Sequence, residues 1–257
     1  MQKTRIWAAL ATALVCVLIA SRAGAIGFYE LQLYYVDTVP QYHLMVELHS
    51  ISVISANGAL AHQKLPVYQI HNTTEFTYGL LPWLEVGQYL ATARFNTGAY
   101  QYAGARTKVH FGIPQTESWP ISFGMNVELD YMSSTADPNP LSLDVMPIAQ
   151  AVWGKWTVVG NFALSKPFNG PGNKNIDFQP AGGISYRLLD WLEPGLEYFG
   201  DLGPMTPFAR LPYQEQFITP SINLLLNPRL EFNAGVGFGL TRGSNGTFVK
   251  STVGWLF

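Results

Sequence analysis

The chain has 257 residues and a charged fraction of 12%, about half the usual quarter of soluble domains, too little to coat a water-facing surface. Its 15 Lys and Arg against 17 Asp and Glu leave a formal net charge of −2, which excludes nucleic acid as an expected partner. Glycine (24), proline (17) and aromatics (14%) are abundant, and the only long apolar run lies at the start.

That run reads as an export signal. Residues 1–25 carry Lys3 and Arg5 at the head, an apolar stretch over 6–20, and the small-residue site Ala23-Gly24-Ala25. The alternative is a single membrane anchor, but the stretch is short for a span of about 20 residues. Cleavage removes Lys3, Arg5 and Arg22 and takes the formal charge from −2 to −5. Cys16, the one cysteine, lies inside the signal and lacks the preceding small residue that lipidation needs. The mature chain is then free of thiols, which rules out disulfides, zinc–cysteine sites and thiol catalysis.

Residues 26–42 follow as an N-terminal extension, and from residue 43 the chain breaks into alternating segments of about ten residues, the pattern of membrane strands. They run over 43–55, 67–80, 83–95, 101–113, 121–131, 141–152, 155–165, 177–188, 192–200, 214–226 and 230–240. In 121–131, Ile121, Phe123, Met125, Val127, Leu129 and Tyr131 alternate with Ser122, Gly124, Asn126, Glu128 and Asp130. One face is apolar and the other polar. In 230–240 the apolar face is Leu230, Phe232, Ala234, Val236, Phe238 and Leu240. A turn at 242–246 then sends the chain back with Val249, Val253, Trp255 and Phe257 on one side and Lys250, Thr252 and Gly254 on the other. The expected fold is all-β: a closed, antiparallel, up-and-down transmembrane barrel of about twelve strands over residues 43–257.

Connections support this over a soluble β-sandwich. Short junctions at 81–82, 119–120, 154, 189–191 and 227–228 alternate with longer Gly/Pro/Asn-rich loops at 56–64, 133–140, 166–176 and 201–213. Outer-membrane barrels pair short periplasmic turns with long external loops. Trp83, Trp119, Trp153, Trp156 and Trp191 sit at the short junctions, and Trp255 with Phe257 lies at the chain end on the same side. The expectation is an aromatic girdle at one membrane interface.

Residues 28–36 (FYELQLYYV) also alternate, but a thirteenth strand would put the termini on opposite sides of the membrane. The extension is therefore expected in the periplasm or entering the lumen, where it pairs with the wall.

With apolar faces toward lipid, the polar faces line the interior. This places Glu47, His71, Glu75, Glu85, Arg106, Lys108, His110, Glu128, Asp130, Asp144, Arg187, Glu193, Glu197 and Lys250 in the lumen, with His49 and Glu231 among further polar positions. Arg106, Lys108 and His110 share one face beside the strand of Glu128 and Asp130. Two readings stand: a charged constriction that sorts solutes, or cross-strand salt bridges that fill a narrow barrel. The acidic majority points to cations or neutral solutes. Catalytic motifs, cofactors and metal-ligand spacings are not expected: His43, His49, His62, His71 and His110 have no diagnostic neighbours, and Gly235-x-Gly237-x-Gly239 alternates inside a strand with no helix after it.

Further stretches carry a family resemblance. Tyr29–Tyr34, Val39-Pro40, Leu44–His49, Tyr78–Leu80 with Trp83–Gly87, Glu197–Pro204, and Glu231–Asn233 through Gly237–Thr241 to Lys250 resemble a group of uncharacterised proteobacterial outer-membrane proteins. The ending is also similar to barrel proteins of the MetA-type phenol-degradation pathway. The resemblance implies a Gram-negative outer-membrane barrel, with lipid around it, a passage for small and hydrophobic or aromatic compounds, and insertion by the barrel-assembly machinery through the strand ending at Phe257. The other readings are an outer-membrane lipid hydrolase, with Ser and His meeting at the rim, and a plugged barrel that binds a partner.

Overall fold

A computed structural model describes residues 31–56, 70–94, 98–113, 119–134 and 136–257. The expected signal at 1–25, residues 26–30, His62 and nearly all of the first loop lie outside these residues.

Twelve strands account for the alternating segments: β1 (Leu44–Ala56), β2 (Ile70–Leu81), β3 (Leu84–Arg94), β4 (Tyr100–Gly112), β5 (Ile121–Met132), β6 (Leu141–Trp153), β7 (Trp156–Pro167), β8 (Asp177–Tyr186), β9 (Leu192–Asp201), β10 (Glu215–Leu224), β11 (Leu230–Gly239) and β12 (Asn245–Leu256). Each pairs antiparallel with its sequence neighbours. β1 also pairs with β12, from Met45 opposite Leu256 to Ala56 opposite Asn245, so the sheet closes on itself and leaves no edge. Strands of this length match the 9–11 or so residues a tilted strand needs to cross hydrocarbon.

Side chains follow the period of two, with polarity inverted relative to a soluble protein. On β5, Asn126, Glu128 and Asp130 are buried while Phe123, Met125, Leu129 and Tyr131 are exposed. The same holds for outward Leu48, Leu90, Phe162 and Val253 around the wall. In water this arrangement loses twice, since each outward Leu or Phe forgoes about 1.5–3 kcal/mol of burial and every inward charge is desolvated. Surrounded by hydrocarbon the outer face is solvated, and the ladder satisfies the backbone. Prolines locally interrupt it: the β10–β11 register passes from Ile218 to Ser221 across Pro220, whose nitrogen has no hydrogen to donate.

Because connections alternate between ends, the start of β1, the end of β12 and the β2–β3, β4–β5, β6–β7, β8–β9 and β10–β11 junctions share one end of the barrel, the terminal end. Trp83, Trp119, Trp153, Trp156, Trp191, Trp255 and Phe257 lie at that end, all exposed.

The interior departs from a uniformly polar lining. Toward the loop end, Ile51, Val53, Phe199, Phe217 and Phe248 are buried together, with the Phe217 and Phe248 rings edge to face at 5.4 Å. Ala91, Ala93, Ala103 and Met132 form a second apolar cluster. Buried charge runs from the terminal end through the middle, and Asp130, Asp144 and Glu215 carry it on to the loop side.

Residues 31–40 lie within the barrel and form no strand, despite the alternation of 28–36. β1 and β12 already pair with each other, so a thirteenth strand has no edge to join.

Candidate functional site

The interior charges meet across strands because the register sets their side chains within a few ångströms of each other. Arg106 on β4 lies opposite Asp130 on β5; its Nε donates to Asp130, and its Nη1 is 3.1 Å from Glu128 Oε2. Lys108 turns the other way. Its Nζ is 2.7 Å from Glu75 Oε1 on β2 and 3.1 Å from Glu85 Oε1 on β3. Tyr89 lies beneath both cations, which sit 5.5 Å from its ring centroid, and His49 stacks alongside at 6.5 Å. Tyr89 and Glu75 are both 0% exposed. A water-filled pore would wet its lining, so the barrel is closed at this level.

A second group gathers on β9 and β12. Lys250 is paired with Glu197 and lies 5.0 Å from the Phe199 ring centroid, while Asn233 Nδ2 donates to Glu197 Oε1 at 3.2 Å. His110 is hydrogen-bonded to Asn126. Glu193 accepts from Ser185 Oγ at 2.6 Å and from Arg187 Nε at 3.1 Å. Arg187 departs from its expected position inside the lumen: β8 ends at Tyr186, and the Arg187 side chain is half exposed at the terminal-end mouth. Asp144 and His71 are buried, Asp144 opposite Glu128 and His71 opposite Ile51.

Sequence reasoning missed two features. The first is how residues 31–40 are held. Their backbone has no ladder, so wall side chains supply the missing partners. Tyr34 N–H donates to Asn161 Oδ1 and its carbonyl accepts from Asn161 Nδ2, both at 2.8 Å. Val36 N–H donates to Gln150 Oε1 at 2.8 Å, and His110 Nε2 lies 3.3 Å from the Val36 carbonyl. Lys250 Nζ donates to the Leu31 carbonyl at 2.9 Å, and Val39 N–H donates to Glu85 Oε2 at 2.6 Å. Leu33, Tyr34 and Val36 are buried against the wall, and the segment runs from the terminal end to mid-barrel. Gly112 permits the approach, since a Cβ there would collide with the Val36 carbonyl oxygen. The visible signal was the polar face of β6 and β7, whose Gln150 and Asn161 are amides able both to donate and to accept.

The second missed feature is a meeting of Glu47, His49 and Glu75. His49 Nε2 is 3.2 Å from Glu75 Oε2 and 4.0 Å from Glu47 Oε1, and its Nδ1 is 3.1 Å from Thr252 Oγ1. The signal was the Glu-x-His spacing, which puts Glu47 and His49 on one face of β1. The histidines considered for hydrolase chemistry are otherwise dispersed: His43 Nδ1 contacts the Gln41 carbonyl at the terminal end, and His110 is buried in the wall.

No protein-family model matches the chain, and no curated protein matches it. Solved structures do match in fold. The COG4313 outer membrane channel from Pseudomonas putida F1 superposes with a TM-score of 0.64 at 11% identity, over 89% of this chain and 100% of that one. The KdgM porin gives 0.59 at 10% identity, over 83% and 99%. The NanC porin gives 0.53 at 7% identity, over 83% and 98%. At these identities the likeness is one of architecture: the chain has the closed barrel fold of outer-membrane channels.

Proposed function

We propose that this barrel is a non-enzymatic outer-membrane channel for small solutes, closed in the described conformation by residues 31–40. The observation that carries the reading is the combination of a lipid-compatible outer face with a polar interior whose gap is filled by a separate, side-chain-tethered segment. A barrel built only for rigidity has no need of a filler held by single wall side chains instead of by the ladder. The fold shared with porins supports the reading, as do the exposed aromatics gathered at one end, which fit a membrane-interface girdle. Residues 1–25 then act as the export signal, and β12, which closes the barrel against β1, is the strand offered to the assembly machinery.

The solute is small. The apolar clusters at the loop end favour hydrophobic or aromatic compounds at entry, in line with the resemblance of the sequence to phenol-degradation barrels. The carboxylate-rich middle favours cations or neutral species over anions.

Planar-bilayer recording tests the channel. The full chain is expected to show small or rare openings, and a chain lacking residues 31–40 larger and longer ones. Equal conductance would overturn closure by residues 31–40, and none from either protein, once folding is verified, would overturn the channel in favour of a plugged, partner-binding barrel.

A further inference from the structure

We propose that Glu47, His49 and Glu75 form a binding site for one divalent transition-metal cation of the zinc type, with Glu47 Oε1, His49 Nε2 and Glu75 Oε2 as ligands. These atoms lie within 4.8 Å of one another. The contacts of 3.2 Å and 4.0 Å from His49 Nε2 bracket the separation of about 3.3–3.5 Å that ligands adopt around zinc at 2.0–2.1 Å with tetrahedral angles. Small side-chain adjustments close the remainder.

Three features set this cluster apart from an ordinary acidic patch. Glu47 Oε1 is buried with no hydrogen-bond partner, in a residue only 6% exposed, and it faces the imidazole. A buried orphan oxygen costs stability unless something occupies the space in front of it. The imidazole is placed for metal binding: Thr252 Oγ1 stands 3.1 Å from Nδ1 and can accept its hydrogen, so that Nε2 turns a lone pair to a cation held between it and the two carboxylates. Nε2 and Glu75 Oε2 are hydrogen-bonded at 3.2 Å, and the cation takes the place of the hydrogen between them. Glu75 divides its oxygens: Oε1 accepts from Lys108 Nζ and Thr77 Oγ1, which leaves Oε2 for the metal. Thr252, Lys108 and Thr77 thus occupy the supporting positions that fix ligand orientation in metal sites.

Charge points the same way. Glu47, Glu75 and Glu85 are buried around the single ammonium of Lys108, and Glu231 adjoins through Gly254, which pairs with both Glu47 and Glu231. A divalent ion offsets the surplus. Glu231 lies one register step from Glu47 across Gly254, so its carboxylate or a water can complete the shell. One imidazole with two carboxylates is a nitrogen–oxygen set suited to zinc, less so to magnesium or calcium.

The test is calorimetric titration of zinc chloride into the full chain, folded in detergent and stripped with chelator. One saturable equivalent is expected, with Glu47→Gln and His49→Gln each weakening it at least about tenfold, the size of even an outer-shell loss. The His43→Gln variant retains binding. No saturable binding by the wild type would overturn the site, and so would variants that bind as tightly as the wild type. Should a variant fail to fold, zinc-edge X-ray absorption of the wild type decides: one imidazole nitrogen with oxygens supports the site, and several imidazoles refute it. None of these results depends on whether the barrel conducts.

Discussion

Replacing Lys108 with methionine removes an ammonium that is 4% exposed and lies 2.7 Å from Glu75 and 3.1 Å from Glu85, themselves 0% and 5% exposed. Methionine keeps most of the volume, so the perturbation is chiefly the loss of charge. Breaking a buried ion pair from one side costs about 3–5 kcal/mol, because the partner is left charged and dry. The lower end applies, since Glu75 keeps Thr77 and His49, and Glu85 keeps the Val39 N–H. The expected loss is therefore about 3 kcal/mol in reversible urea unfolding from lipid vesicles, followed by tryptophan fluorescence. Adding Glu75→Gln neutralises the more buried orphan, so the double variant should be more stable than the sum of the single losses by about 1–3 kcal/mol. A Lys108→Met loss below about 1 kcal/mol, within the range of exposed pairs, together with strict additivity, would refute the claim that these charges are sealed from water.

Other positions test the remaining parts of the structure. Val127, outward at the middle of β5 between Val109 and Val145, should cost about 2–4 kcal/mol when changed to arginine in a bilayer, and an unchanged unfolding midpoint would place it off the lipid face. Asn161→Ala removes both bonds to the Tyr34 backbone and should loosen residues 31–40 by about 1–3 kcal/mol, read as faster proteolysis of that segment with the barrel intact. Among the described residues nine buried carboxylates face three buried Lys and Arg, so reversal potentials in a salt gradient should show cation preference in the chain lacking residues 31–40; anion preference would contradict it.

The wall was legible in the sequence because lipid and lumen impose opposite demands on successive residues: the faces of 121–131 and 230–240 could be assigned by parity alone. Parity assigns a face but not a depth. Nothing in the alternation tells that inward Phe217 and Phe248 meet near the loop end, or that Arg187 overruns the end of β8. Partner choice was also hidden. Lys108 and Glu128 are register partners, yet the lysine is drawn to Glu75 and Glu85 on the other side, and Arg106 takes Glu128 as well as Asp130. The meeting of Glu47 with Glu75 depends on the register of β1 against β2, which period two leaves free to slide by whole pairs. Residues 28–36 alternate like a strand, but what holds 31–40 is a set of single amide and charged side chains scattered over five strands, a pattern with no periodicity to read.

The central claim is that residues 31–40 close the interior to water. It is tested most directly by the reaction rate of a single cysteine at Val159, which is 3% exposed beside Leu33 and Tyr34, with a charged, membrane-impermeant maleimide. The thiol should be protected in the full chain and react rapidly once residues 31–40 are deleted; the same rate in both would contradict the account.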